Sequence, residues 1–244
     1  MKKDLKTIEF GDFQTPLSLA LEVINSIKPL ISNTKTVIEP SCGVGTFIKA
    51  FQKSSINAKK IIGWEINPSY VSLAKENLLI NSSNMDIHII EKDFFQVNWD
   101  KISLIQSEPI LFLGNPPWIT NSELGRLLRK NLPSKSNFQN FSGLDAMTGK
   151  SNFDISEWML IQIARLISET NSAMAFLIKT SVARKIFEYI VKHNLFVSDM
   201  FVREIDAKLH FNVSVDACLF YVQGSINIKS NKCPVFGSLQ SDLP

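Results

Sequence analysis

Short runs of apolar, β-branched residues alternate along the chain with segments of helical spacing, which predicts a parallel sheet joined by crossover helices. The first helix is expected over Leu17 to Ile31, with Thr15 as its cap and Pro16 at its first position, where an N–H would lack an intrahelical partner anyway. A strand at Thr36 to Glu39 leads into a helix from Thr46 to Gln52. A strand at Ile61 to Ile66 leads into a helix from Pro68 to about Leu79. Two further strands are expected at Ile87 to Ile90 and Ile110 to Leu113. A helix from Ile155 to Ile167, capped by Asp154, is followed by a strand at Ala173 to Ile178 and a helix over Val182 to Val191. The last strands, Ser198 to Arg203 and Ala217 to Val222, are too close for a crossover helix and should pair antiparallel. The expectation is an α/β fold: a seven-stranded, mostly parallel sheet with an antiparallel last strand and helices on both faces.

One segment breaks the alternation. From Ile119 to Phe153, about 35 residues show little periodicity, where connections in such folds usually run about 2 to 6. Loops of that length are usually functional or disordered. This one carries Arg126, Arg129, Lys130, Lys135 and Lys150 against Glu123 and Asp145.

Composition changes this picture little. The chain is 45% apolar and 20% charged, an ordinary globular balance, and its net charge of +3 neither demands nor excludes a polyanionic partner. No apolar run approaches the roughly 20 residues of a membrane helix, and Met1-Lys2-Lys3 has no apolar stretch behind it. Cys42, Cys218 and Cys233 are too scattered for a disulfide framework or a zinc site. His88, His193 and His210 lack the spacing of a triad or a metal centre. A cytoplasmic protein with reduced thiols, without a membrane segment and without a metal, is expected.

The chemistry lies where strands end. The first strand runs into Glu39-Pro-Ser-Cys-Gly43-Val-Gly45-Thr-Phe47, whose glycines allow a sharp turn and close approach of a ligand at the carboxyl edge of the sheet. The third glycine of the dinucleotide fingerprint is missing, which disfavours NAD. Glu65 ends the next strand about 20 residues on, where a carboxylate suits a ribose diol. Asp93-Phe94 places an acceptor and an aromatic at the same edge. Gly114-Asn115-Pro116-Pro117-Trp118 ends the fourth strand. Its prolines fix the directions of the Asn115 and Pro116 carbonyls. An amide oxygen, a rigid carbonyl and an exposed indole together suit a planar base bearing an amino group.

These segments, with Phe10-Gly-Asp-Phe-Gln14-Thr15-Pro16, resemble the ordered motifs of S-adenosylmethionine-dependent DNA adenine-N6 methyltransferases, in the gamma-class arrangement. The likeness runs from about residue 10 to 224 and implies a Rossmann-like methyltransferase fold in a restriction-modification enzyme. It implies that Thr15 and Pro16 line the methionine end of the cofactor, S-adenosylmethionine, with Glu39, Gly43 and Gly45 forming the turn around it. Glu65 would hold the ribose, and Asp93 and Phe94 the cofactor's adenine. Asn115 and Pro116 would hold the target amino group, Trp118 would stack on the flipped base, and Pro117 and Phe211 would contact it.

The resemblance makes double-stranded DNA the partner, with Arg126, Arg129, Lys130 and Lys135 of the long loop on its phosphates. Relatives continue past a stretch like Cys233-Pro-Val-Phe-Gly-Ser-Leu239 into a target-recognition domain, whereas this sequence stops at Pro244. A catalytic domain over residues 1–228 and an extension over 229–244 are therefore expected, with specificity supplied by the loop or by a further domain or subunit in trans. Cytosine-C5 methylation is disfavoured because no cysteine follows a proline, and Asn115 rather than serine favours adenine over cytosine-N4. Methylation of an amino or amide nitrogen in RNA or in protein glutamine stays open, as does a cofactor-binding subunit of a larger complex.

Overall fold

The computed structural model describes residues 14–56, 58–79, 85–99, 102, 109–120 and 154–241. Helix α1 (Leu17–Ile27) precedes β1 (Thr36–Glu39), α2 (Thr46–Gln52), β2 (Lys60–Glu65), α3 (Pro68–Leu79), β3 (Asp86–Glu91) and β4 (Ile110–Gly114). After residues 121–153 come α4 (Ile155–Ile167), β5 (Ala173–Lys179), α5 (Thr180–Lys192), β6 (Val197–Ile205), the short α6 (Ala207–Phe211), β7 (Ala217–Gly224) and β8 (Val235–Phe236).

The strands form one eight-stranded sheet in the order β3-β2-β1-β4-β5-β7-β6-β8. Strand β7 runs antiparallel to both β5 and β6, and the other pairs are parallel. The expected seven strands with an antiparallel last pair are all present. The eighth, β8, falls beyond residue 228, in the stretch expected to be an extension, and pairs Val235 with Val202. Arg203 donates from Nη1 to the carbonyls of Leu239 (2.7 Å) and Ser241 (2.9 Å), which ties the following tail to the same sheet edge.

Alternation along the strands divides the core in two. Leu111, Leu113, Ala175, Leu177, Leu219 and Tyr221 face α1, α2 and α3, while Phe112, Met174, Phe176, Ile178, Phe220 and Val222 face α4 and α5. Apolar surface on both sides of β4, β5 and β7 is what a sheet sandwiched between helix layers requires.

Two local expectations are corrected. Helix α1 stops at Ile27 rather than Ile31, because Pro29 has no N–H to extend the ladder, although Ile31 still reaches the core. Its N-cap is Pro16, with no side-chain cap, so Thr15 does not serve as the cap. Among the described residues no helix is long and apolar enough to cross a membrane, and no cluster of histidine, cysteine and carboxylate side chains could hold a metal ion.

Candidate active site at the carboxyl edge of the sheet

Strands β1 and β4 are neighbours, but the chain leaves β1 toward β2 on one side, and β4 is followed in the sheet by β5 on the other. Such a switch point opens a crevice at the carboxyl ends of the two strands, where open α/β sheets take ligands. The glycine turn and the Asn115 motif, read from sequence as separate signals, form its two walls.

The turn after β1 needs its glycines. Gly43 (φ +51°) and Gly45 (φ +82°) adopt left-handed backbone, and Gly45 is the N-cap of α2. A Cβ on Gly43 would sit 2.8 Å from Gln14 Oε1, so the segment leading into α1 lies directly across the turn. The Gly43 amide donates to Glu65 Oε2 at 2.9 Å, and the Asn67 amide donates to Glu65 Oε1 at 2.8 Å. Glu65 is buried and stitches the turn after β1 to the turn after β2.

Glu39 is more deeply buried, at 3% exposure. Its Oε2 has no hydrogen-bond partner among the described residues, although the Ile48 amide donates to the carboxyl. Burial holds its pKa well above the usual carboxylate range, and the neighbouring Glu65 charge pushes the same way. At the end of β3, Asp93 accepts from the Phe95 amide (2.9 Å) and from Gln96 Nε2 (3.2 Å) and caps a single turn of 3-10 helix, Phe94–Gln96. Phe94 is buried against Trp99 (centroids 4.8 Å apart) and Trp158 (5.6 Å), and Phe95 beside it is half-buried.

On the other wall, Asn115 donates from Nδ2 to Thr15 Oγ1 at 3.2 Å, which joins the segment before α1 to the end of β4. Pro116 is buried and Pro117 half-buried. Trp118 departs from expectation: its indole is 5% exposed rather than open, because Nε1 donates to the Leu177 carbonyl at 3.1 Å. Phe211 meets it edge to face, with centroids 5.2 Å apart. The structure thus brings the late aromatic to the Asn115 motif across nearly a hundred residues of chain.

The ends of the long segment also meet here. Thr120 and Asp154 form an antiparallel bridge, and the Ile155 amide donates to the Ile119 carbonyl at 2.9 Å. Asp154 caps α4 and pairs with Lys179 Nζ at 2.7 Å. Arg126, Arg129, Lys130 and Lys135 lie outside the described residues, as do Phe10 to Phe13. A cavity lined by Lys179, Thr180, Ser181, Arg184, Val215 and Asp216 opens beside the start of β7. Sequence reasoning missed it, because its residues come from the junction of β5 and α5 and from the loop before β7, which carry no shared motif.

Residues 4–232 match the N-6 DNA methylase family. Over 235 residues the chain is 45% identical to the Type II methyltransferase M.NspV of Nostoc, covering 96% of this chain and 48% of that protein. The chain therefore spans about half the length of that relative. A stretch of 89 residues is 39% identical to a Methanocaldococcus jannaschii protein assigned as a protein N5-glutamine methyltransferase, covering 36% of this chain and 40% of that one. Among solved structures, a Listeria monocytogenes protein assigned to the class I S-adenosylmethionine-dependent methyltransferases superposes with a TM-score of 0.62 at 13% identity, over 93% of this chain and 67% of that one. A modification subunit assigned to a type I restriction enzyme from Vibrio vulnificus gives 0.54 at 14% identity, over 91% and 45%. Those identities establish the shared methyltransferase fold. With the family match running over nearly all of its length, the chain belongs to the N-6 DNA methylases.

Proposed function

We propose that this chain is the catalytic region of a restriction-modification DNA methyltransferase, which moves a methyl group from S-adenosylmethionine to the N6 nitrogen of an adenine flipped out of the duplex. The observation that carries this reading is the placement of Asn115 and Pro116 at the end of β4, across the switch-point crevice from the glycine turn. The family match and the resemblance to a Type II methyltransferase support it. Residues 1–228 form the catalytic domain in this reading, and residues 229–244 lead toward the part that reads the target sequence.

The residues around the crevice fit the cofactor. Gly43 and Gly45 keep side-chain bulk away from the turn. The buried Glu39 Oε2 and the adjacent Glu65 carboxyl lie beneath it as polar groups that suit the cationic methionine end. Glu65, held by the Gly43 and Asn67 amides at the end of β2, takes the ribose hydroxyls. Thr15 and Pro16 line the methionine end, and Asp93 with Phe94 the adenine end. When bound, the sulfonium supplies an activated methyl group.

The chain's own residues handle the acceptor. An exocyclic amine is a poor nucleophile, because its lone pair is delocalised into the ring. Asn115 Oδ1 and the Pro116 carbonyl accept from its two N–H groups, which favours a pyramidal nitrogen and aims the lone pair. Fixed dipoles and orientation of this kind account for a large share of many rate enhancements. Trp118, locked by Leu177, and Phe211 form the aromatic wall, with Pro117 beside them. Stacking of about 1 to 3 kcal/mol per base offsets much of the cost of flipping. A cysteine nucleophile has no place in this scheme: burial raises all three thiols, Cys218 to about 12 and Cys233 to about 11.

The 89-residue likeness to a glutamine methyltransferase favours one other reading, transfer to an amide nitrogen of a protein. Labelled S-adenosylmethionine offered with DNA, RNA and a protein extract separates the two. Label in DNA, lost in the Asn115→Ala variant, supports the proposal, and label confined to protein or RNA replaces it.

A further inference from the structure

We infer that Thr15 is a positioning residue for methyl transfer: its hydroxyl anchors one end of the Asn115 side-chain amide and so holds that amide in place for the target amine. The inference rests on the reaction proposed above. An asparagine amide is nearly symmetric in shape but not in chemistry, with an acceptor on one side and two donors on the other. In the productive orientation Oδ1 faces the target amine. Rotated by half a turn, Asn115 would present an NH2 group to an NH2 group, and the interaction would turn from attraction to repulsion. Packing alone distinguishes these states poorly. A hydroxyl can accept from Nδ2 or donate to Oδ1, so Thr15 anchors the amide in either state; in the structure Asn115 Nδ2 donates to Thr15 Oγ1 at 3.2 Å, which is the productive orientation.

Thr15 is suited to this by its own rigidity. It is 8% exposed, and the residue after it is the proline that begins α1, which biases Thr15 toward extended backbone. Its β-branched side chain has few accessible rotamers. The hydroxyl has two lone pairs and one proton, so accepting from Nδ2 leaves its O–H for another acceptor. The segment that carries Thr15 also crosses the glycine turn through Gln14. One short segment therefore touches both walls of the crevice, so that its docking and the orientation of the catalytic amide are set together.

The test uses Thr15→Val, Thr15→Ser, Asn115→Ala and the Thr15→Val/Asn115→Ala double variant of the 244-residue chain. The Asn115 side-chain amide resonance, assigned by its absence in Asn115→Ala, should move in Thr15→Val and stay in place in Thr15→Ser. Single-turnover transfer to DNA, with S-adenosylmethionine saturating by calorimetry, should fall about tenfold in Thr15→Val, the scale of one lost hydrogen bond, and recover in Thr15→Ser. The double variant should be no slower than Asn115→Ala, because the effect of Thr15 passes through that amide. An unmoved resonance in Thr15→Val overturns the inference, as does a double variant slowed beyond Asn115→Ala by the full Thr15→Val factor. Absence of transfer by the wild-type chain overturns the proposed reaction, and the positioning role with it, even where the resonance moves.

Discussion

Glu65 holds two turns of the fold together, and in the proposed function the same side chain also serves the ligand. Its carboxylate accepts from Gly43 and Asn67, so Glu65→Ala removes the acceptor that holds two turns together and, in the proposed function, the ribose contact with it. Cofactor affinity should fall by about 1.5 to 3 kcal/mol, with a lower melting temperature alongside; calorimetry showing unchanged binding would remove Glu65 from the site. Glu39 behaves differently, because its pKa is shifted upward. The folded state holds the proton more tightly than the unfolded chain, so this group lowers stability as pH rises above the ordinary carboxylate value, up to the raised one. Glu39→Gln should therefore gain stability over wild type as pH rises from 5 to 8 in thermal melts, and a difference independent of pH would contradict the burial argument. The spacing of Glu65, the glycines and Asn115 was legible in the sequence, since each ends a strand. The burial of Trp118 was not, because it depends on a carbonyl of β5 that follows 59 residues later.

Most elements were legible from the switch between two-residue and 3.6-residue periodicity, and α4 matches its expected bounds because Asp154 caps it and the helix is apolar through its length. Strand β8 was invisible: two residues cannot show alternation, and Val235 and Phe236 become a strand only by lying beside β6. The double duty of Asp154 also emerges only in three dimensions. It caps α4 through the Ser156 amide (3.0 Å), pairs with Lys179 and bridges Thr120, two residues after Trp118. Asp154→Ala should cost about 0.5 to 2 kcal/mol from the cap alone. Asp154→Asn, which keeps a capping oxygen, should recover most of it; equal denaturation midpoints for Asp154→Ala and wild type would show that the cap contributes nothing. Gly43→Ala forces a side chain into φ +51°, at roughly 1 to 2 kcal/mol, and should disturb cofactor binding through the Gln14 contact. Cofactor affinity equal to wild type would separate that turn from the site.

At the scale of the molecule, the chain covers about half the length of its Type II relative, and the cations proposed to meet DNA, Arg126, Arg129, Lys130 and Lys135, suit phosphates. Phosphate contacts position a protein on DNA without reading its sequence. DNA binding by this chain should therefore be weak and salt-sensitive, with each phosphate contact contributing about −0.9 to the slope of log affinity against log salt. Replacing Arg126, Arg129, Lys130 and Lys135 by glutamine should flatten that slope, and an unchanged slope would place the contacts elsewhere, with Arg184 and Lys179 of the cavity beside β7 the next candidates. Fold class and strand-end motifs were legible in the sequence, because alternating periodicities and the residues that close each strand carry them; the strand order that joins the motifs into one crevice was not. The meeting of Thr15 with Asn115 was not, because the residues are 100 positions apart and neither carries a signal for the other. The most direct test of the account is nucleoside analysis by mass spectrometry of unmethylated DNA incubated with S-adenosylmethionine and either the wild-type chain or Asn115→Ala. The account predicts N6-methyladenine from the wild type and almost none from the variant. Methylated cytosine in its place, or equal N6-methyladenine from both, would contradict it.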